Sequence, residues 1–195
     1  NEVLKERVLA QLTNYRTEWR NKSTHDYQLF FSSQEALLAI VSVSAFFNIL
    51  LDQMLEKQSF DFEKAKVEGR VKEYFEVIDG YESLIFLHQV LKIMMLFSRE
   101  IKEEADKYRL VKEFELTGRL AGFITASDSE IEVLTEYPIK NESGRFYIDM
   151  LLKKGNEYLV VELKRPSREY LRRVREGNEQ LKRYLVASNF SHGIV

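Results

Sequence analysis

The chain is predicted to be an α/β protein in which an all-helical bundle, residues 1–106, precedes a mixed helix-and-strand unit, residues 107–195. Three observations carry that division. Residues 1–106 contain no proline, few glycines and long segments of helical periodicity. Beyond them, two runs of β-branched, aromatic and aliphatic residues flank Gly155-Asn156, a hairpin signal. After Pro166 the chain becomes basic, with leucine and valine at helical spacing.

Four helices are expected in the first half. The first, about 2–22, carries Val3, Val8, Leu12, Tyr15 and Trp19 as an apolar stripe. The second, about 33–57, holds sixteen mostly apolar residues from Ala36 to Leu51, broken by Ser42, Ser44 and Asn48. A membrane span needs roughly 20 apolar residues, so a buried bundle helix is favoured and no membrane contact is expected. The third, about 61–78, stops before the Asp79-Gly80 turn signal. The fourth, about 81–106, is expected to turn Leu84, Leu87, Leu91, Met94 and Met95 inward. Such a bundle would serve self-association or the docking of a partner protein.

The second half opens with a helix expected over about 107–125, where Leu110, Glu113, Thr117, Leu120 and Ile124 share one face. Glu113 is therefore the acid expected to point at the sheet, with Glu115 outside. Ile131 to Ile139 alternates as a strand with Ile131, Val133, Thr135, Tyr137 and Ile139 on one face. Phe146–Leu152 and Glu157–Lys164 form the hairpin, and Gly155 at the first central position suits a type II′ turn. If Lys154 faces Glu157, Met150 lies opposite Val161, Leu152 opposite Leu159 and Ile148 opposite Leu163, giving an apolar face. The other face sets Asp149 opposite Glu162, about 5 Å apart, with Lys164 two residues on. Ser167 is placed to cap a helix bearing Leu171, Val174, Leu181 and Leu185, which Gly177-Asn178 would kink or split. Gly193-Ile194-Val195 begins a fourth strand.

Two facing carboxylates repel, and a divalent cation is their natural neutralising partner. Hard oxygen donors suit Mg²⁺ or Mn²⁺, which one or two carboxylates, waters and phosphate oxygens commonly hold. A lysine on the same face can orient an attacking water or balance charge developing on a phosphoryl oxygen. That combination is phosphodiester-hydrolysis chemistry.

Asp149, twelve intervening residues, then Glu162-Leu163-Lys164 resembles the core motif of the PD-(D/E)XK nuclease superfamily. Ile148 stands where the proline of that name would be. Gln180-Leu181-Lys182-Arg183-Tyr184 resembles the Q-x-x-x-Y helix of RecB-type nucleases, and Val161–Ser167 is similar to a segment of type I restriction subunits and Shedu-type defence nucleases. The resemblance covers residues 107–195 and implies a restriction-endonuclease-like αβββαβ core. It further implies a Mg²⁺- or Mn²⁺-dependent deoxyribonuclease serving anti-phage defence, restriction or DNA repair. Asp149, Glu162, the Leu163 carbonyl and Glu113 would hold metal; Lys164 would position water; Gln180 and Tyr184 would support the site.

From Lys164 to Arg183 eight basic residues face three acidic ones. Arg165, Arg168, Arg172, Arg173, Arg175, Lys182 and Arg183 are thus candidate contacts to a DNA backbone, with RNA chemically open. The whole chain, at net −2, offers no general affinity for polyanions. Having no cysteine, it excludes disulfides, thiolate catalysis and Cys-ligated zinc, and a cytoplasmic location is the expectation. His25 and His88 are isolated from any ligand or triad spacing, and His192, just before Gly193-Ile194-Val195, is expected to be a turn histidine, with substrate contact the alternative. A first residue that is not Met is what a piece of a longer protein would show. Two rival readings fit the same residues: a catalytically silent domain of this kind that binds DNA or assembles, and a helical interaction protein with a merely structural sheet.

Overall fold

A computed structural model describes residues 9–10, 13, 16–17, 32–70, 81–103, 112–141, 144–164, 169–188 and 190–195. Most of the first expected helix and the Asp79-Gly80 turn lie outside the described residues, as do Arg165, Pro166, Ser167 and Arg168. The chain forms two compact units, Asn1–Met54 and Leu55–Val195. That partition falls away from position 106, because two helices assigned to the bundle lend residues to the core of the second unit.

Helix α1 spans Ser33–Glu68 and merges the expected second helix with the start of the third. Its start is a capping box: Ser32 Oγ accepts from the Glu35 N–H at 3.2 Å, and Glu35 accepts from the Ser32 N–H at 2.9 Å. No glycine or proline interrupts it before Gly69, and Lys57–Asp61 and Lys64–Glu68 pairs bridge successive turns. Within it lies an 18-residue window of mean hydropathy 1.8, long and apolar enough by length and composition to cross a membrane. None of that window is buried, and Leu37, Leu38, Ile40 and Val41 are all more than half exposed. The buried bundle helix expected there is thus corrected: apolar residues ring the whole helix, and a helix of that kind needs cover on every side.

A 3₁₀ turn, Tyr81–Ser83, leads to α2, Phe86–Glu103. Its buried residues are Phe86, Val90, Ile93 and Phe97, while Leu91 and Met95 are exposed. The expected stripe is met in part: Leu87 and Met94 pack partly buried against this core, while Leu91 and Met95 lie outside it. Helix α3, Glu113–Ser127, follows. The sheet strands are β1 (Glu132–Asn141), β2 (Gly144–Lys154), β3 (Glu157–Val161) and β4 (Gly193–Ile194), with α4 (Tyr170–Ser188) between the last two. Order is β1-β2-β3-β4: the first two pairings are antiparallel and the last is parallel.

The hairpin register is the one the sequence implied: Met150 pairs with Val161, Leu152 with Leu159 and Lys154 with Glu157. Gly155 has φ +59 while Asn156 does not turn positive, the pattern of a type II′ turn. One apolar cluster joins Phe86, Val90, Ile93, Phe97, Leu120, Phe123 and Ile124 to Met150, Leu152, Leu159 and Val161. Phe97 and Phe123 meet edge to face at 5.4 Å. A second cluster puts Leu181 and Tyr184 of α4 on Ile139, Ile148, Leu151 and Val160, so both sheet faces are covered. Ile148, expected beside Met150, belongs to this second cluster, and Leu171, expected to pack, is 76% exposed.

That switch is centred on Glu136, which has φ 48. Thr135 pairs with Met150 and Tyr137 with Ile148, so no residue is inserted, yet Ile131 and Val133 pack into the first cluster and Tyr137 and Ile139 into the second. A non-glycine residue held there costs on the order of 1–3 kcal/mol. Its register partner is Asp149.

Gly118 and Gly122 let α3 lie directly on α1. A Cβ at Gly118 would stand 2.2 Å from the Glu56 carbonyl oxygen, and one at Gly122 2.4 Å from that of Phe60. Backbone cannot swing aside as a side chain can. Gly118→Ala is expected to cost at least about 2–3 kcal/mol, a fall in melting temperature of roughly 5–10 °C. Thermal denaturation followed by circular dichroism checks this, and an unchanged midpoint would refute the close approach.

Candidate functional site

The β2–β3 ladder ends at Met150 and Val161, one position short of the acids. From there the third strand turns to the fourth: the Glu162 N–H donates to the Ile194 carbonyl at 2.9 Å. The direct ladder pairing of Asp149 with Glu162 is thereby corrected. Asp149 fills the gap instead, its Oδ2 accepting from the Leu163 N–H at 2.7 Å. The two carboxyl groups still face each other closely enough to interact.

Glu162 is 1% exposed. Burial pushes its carboxyl up to about 7; the Lys164 hydrogen bond opposes that rise and the Asp149 charge adds to it. Lys164 donates to Glu162 Oε1 and, at 3.1 Å, to Gln180 Oε1. Gln180 in turn donates through Nε2 to the Tyr184 hydroxyl. Although burial works against its charge, Lys164 is held above the usual lysine range by Glu162, Asp149 and Glu113. Burial raises the Tyr184 hydroxyl; Gln180 opposes this, and Glu162 and Asp149 add to it.

Five of the residues singled out by sequence, Asp149, Glu162, Lys164, Gln180 and Tyr184, thus share one interaction network. Glu113 is exposed in the first turn of α3, near enough to act on Lys164. Helix α3 begins at this residue. Glu115 caps α3, its Oε2 accepting from the Lys112 N–H at 2.8 Å. Among the described residues, no group of three or more His, Cys, Asp or Glu side chains is arranged to hold a metal ion. Two carboxylates are what the pocket offers. Glu162 Oε2 is buried and, among the described residues, lacks a hydrogen-bond donor. An orphaned carboxylate oxygen beside a second carboxylate fits a hard divalent cation, which can be held by as few as one or two protein carboxylates.

Two residues that position this site carry roles the sequence did not announce. Gly177 sits mid-helix in α4, which is not split there; a Cβ there would come within 2.6 Å of Val195 and 3.2 Å of the Lys164 stem. Its lack of a side chain lets the lysine pass beneath the helix. Glu136 is the strained partner position of Asp149. A glutamate in left-handed backbone has no sequence signature.

Arg172, Arg173, Arg175, Lys182 and Arg183 all lie exposed on α4. Arg172 is held by Glu169 at 2.9 Å and Glu176 at 2.8 Å, and Lys182 by Glu179 at 3.0 Å. The acids of this segment thus offset two of its cations. Compared with known proteins, the chain matches no family model, no curated protein and no solved structure.

The raised Glu162 value has a sign that thermal melting can read. Between its ordinary 4.5 and about 7 the folded chain holds a proton that the unfolded chain has released. Stability from this group is therefore present below 4.5 and lost as pH rises through 7. In metal-free buffer, Glu162→Gln is expected to be more stable than wild type at pH 8, by on the order of 2–3 kcal/mol, with the gain vanishing near pH 4.5. A gain that does not vary with pH would overturn the assignment.

Proposed function

We propose that this chain is a divalent-metal-dependent nuclease that hydrolyses DNA phosphodiester bonds, built on a restriction-endonuclease-like core. The observation that carries the reading is the convergence of Asp149, Glu162 and Lys164 around a buried carboxylate oxygen that lacks a hydrogen-bond donor among the described residues. The order of helices and strands, with the parallel β4 reached through α4, supports the same arrangement.

Asp149 and Glu162 would hold the cation, Mg²⁺ or Mn²⁺, which supplies charge stabilisation at the phosphoryl group. Lys164 takes the remaining tasks. Its ammonium, held between Glu162 and Gln180, has donors to present to a phosphoryl oxygen or to the entering water. Gln180 and Tyr184 are positioning residues that act through Lys164: the chain of donors from Lys164 and Gln180 ends on the tyrosine hydroxyl and limits where the ammonium can go. Exposed arginines of α4 would follow the strand's backbone.

Two measurements test this. Purified protein with Mn²⁺ is expected to cleave single-stranded, duplex or branched DNA, and this cleavage should disappear in Lys164→Ala and Asp149→Ala. Calorimetry is expected to show Mn²⁺ binding that Glu162→Ala abolishes. DNA binding and ion binding without turnover would identify a silent binding domain instead.

A further inference from the structure

A cleft of about 720 Å³ opens beside the Gln180 and Tyr184 end of the network, lined by Phe146, Glu179, Gln180, Lys182, Arg183, Tyr184, Val186 and Ala187. Three kinds of surface meet in it. Phe146, near the start of β2, is an aromatic ring left 38% exposed. Val186, 84% exposed, and Ala187 add apolar wall. Lys182 and Arg183 supply cations, of which Lys182 is paired with Glu179 at 3.0 Å while the Arg183 Nε donates to the Glu179 carbonyl at 3.3 Å.

A solvated aromatic ring and an apolar wall are costly for a surface to leave bare, and neither has use for a phosphate alone. They suit the flat face of a base. With two cations and one acid the lining has a small positive excess, enough to favour the phosphate of the same nucleotide but too little to bind a duplex backbone tightly. In a duplex both faces of every base are already stacked, so the ring could engage only an unpaired one.

We infer that this cleft seats one unpaired nucleotide of a nucleic-acid strand, its base against Phe146 and its phosphate toward Arg183 and Lys182. The inference rests on the nuclease reading for the strand's continuation past Gln180 and Tyr184 to Lys164. It narrows the substrate to single strands, or to ends and junctions that expose unpaired bases.

The test is binding of a fluorescently labelled single-stranded oligodeoxynucleotide to the full chain in EDTA, where no cleavage can occur. Phe146→Ala is expected to weaken single-strand binding about tenfold and duplex binding less than twofold, the effect of losing one base–aromatic stack. Phe146→Trp should keep the affinity, and its added indole fluorescence, relative to wild type, should be quenched by the oligonucleotide. Arg183→Gln should lower the salt dependence of binding by about one phosphate contact. If Phe146→Ala leaves single-strand affinity unchanged, or weakens duplex binding equally, the cleft assignment is overturned, while Mn²⁺-dependent cleavage lost in Lys164→Ala would still uphold the nuclease reading. If instead Phe146→Ala weakens single-strand binding but wild type cleaves nothing, the cleft stands and the catalytic reading falls.

Discussion

Lys164→Ala and Asp149→Ala are each expected to lower Mn²⁺-dependent DNA cleavage by on the order of a thousandfold or more. Asp149 is one of the two carboxylates that meet at the pocket, and it also holds the Leu163 N–H at 2.7 Å, which fixes the backbone between Glu162 and Lys164. Its loss removes an oxygen donor and loosens that turn. Loss of Lys164 strips Glu162 Oε1 and Gln180 Oε1 of their shared donor. Gln180→Ala, which leaves the lysine but frees its position, should cost less, about tenfold, and shift the pH profile of cleavage. Gln180→Ala should melt within a few degrees of wild type, because Gln180 is only partly buried. Equal product yield from wild type and Lys164→Ala, in matched metal and DNA, would end the proposal.

A second large effect is expected far from this pocket. Arg119 and Glu63 form an ion pair between α3 and α1, 4% and 0% exposed, with the guanidinium Nε and Nη2 at 2.6 and 2.5 Å from Glu63 Oε2. Lys66 stands 3.6 Å from the other oxygen and extends the network to Glu100 at 2.9 Å. Removing one partner of such a pair strands the other charge. Arg119→Met should therefore destabilise the fold by about 3–5 kcal/mol, measured by urea unfolding. Adding Glu63→Leu should return most of that loss, because an apolar pair of similar volume needs no desolvated charge. A double variant as unstable as the single one would mean that the pair holds α1 on α3 through geometry rather than charge balance.

Much of the candidate site was legible because its information is local. The hairpin register follows from alternation around Gly155-Asn156, since any one-residue slip buries Glu162 against the wrong face. Gln180 and Tyr184 lie one helical turn apart whatever the helix packs on. Helix orientation was less legible. Phe86, Val90, Ile93 and Phe97 are buried on α2 and Leu87 and Met94 of the expected stripe pack partly against the same core, while Leu91 and Met95 stay exposed.

Sequence alone determined which residues are chemically able to cooperate: two acids, a lysine, a glutamine and a tyrosine at spacings that β-pairing and one helical turn make neighbours. Tertiary packing decided the rest. It ended the β2–β3 ladder before Glu162 so that Asp149 meets a backbone N–H, passed Lys164 beneath Gly177, buried Glu162 Oε2 without a donor among the described residues and left Phe146 in an open cleft. Each of these depends on segments far apart in the chain, and burial of a charge is a property of everything around it.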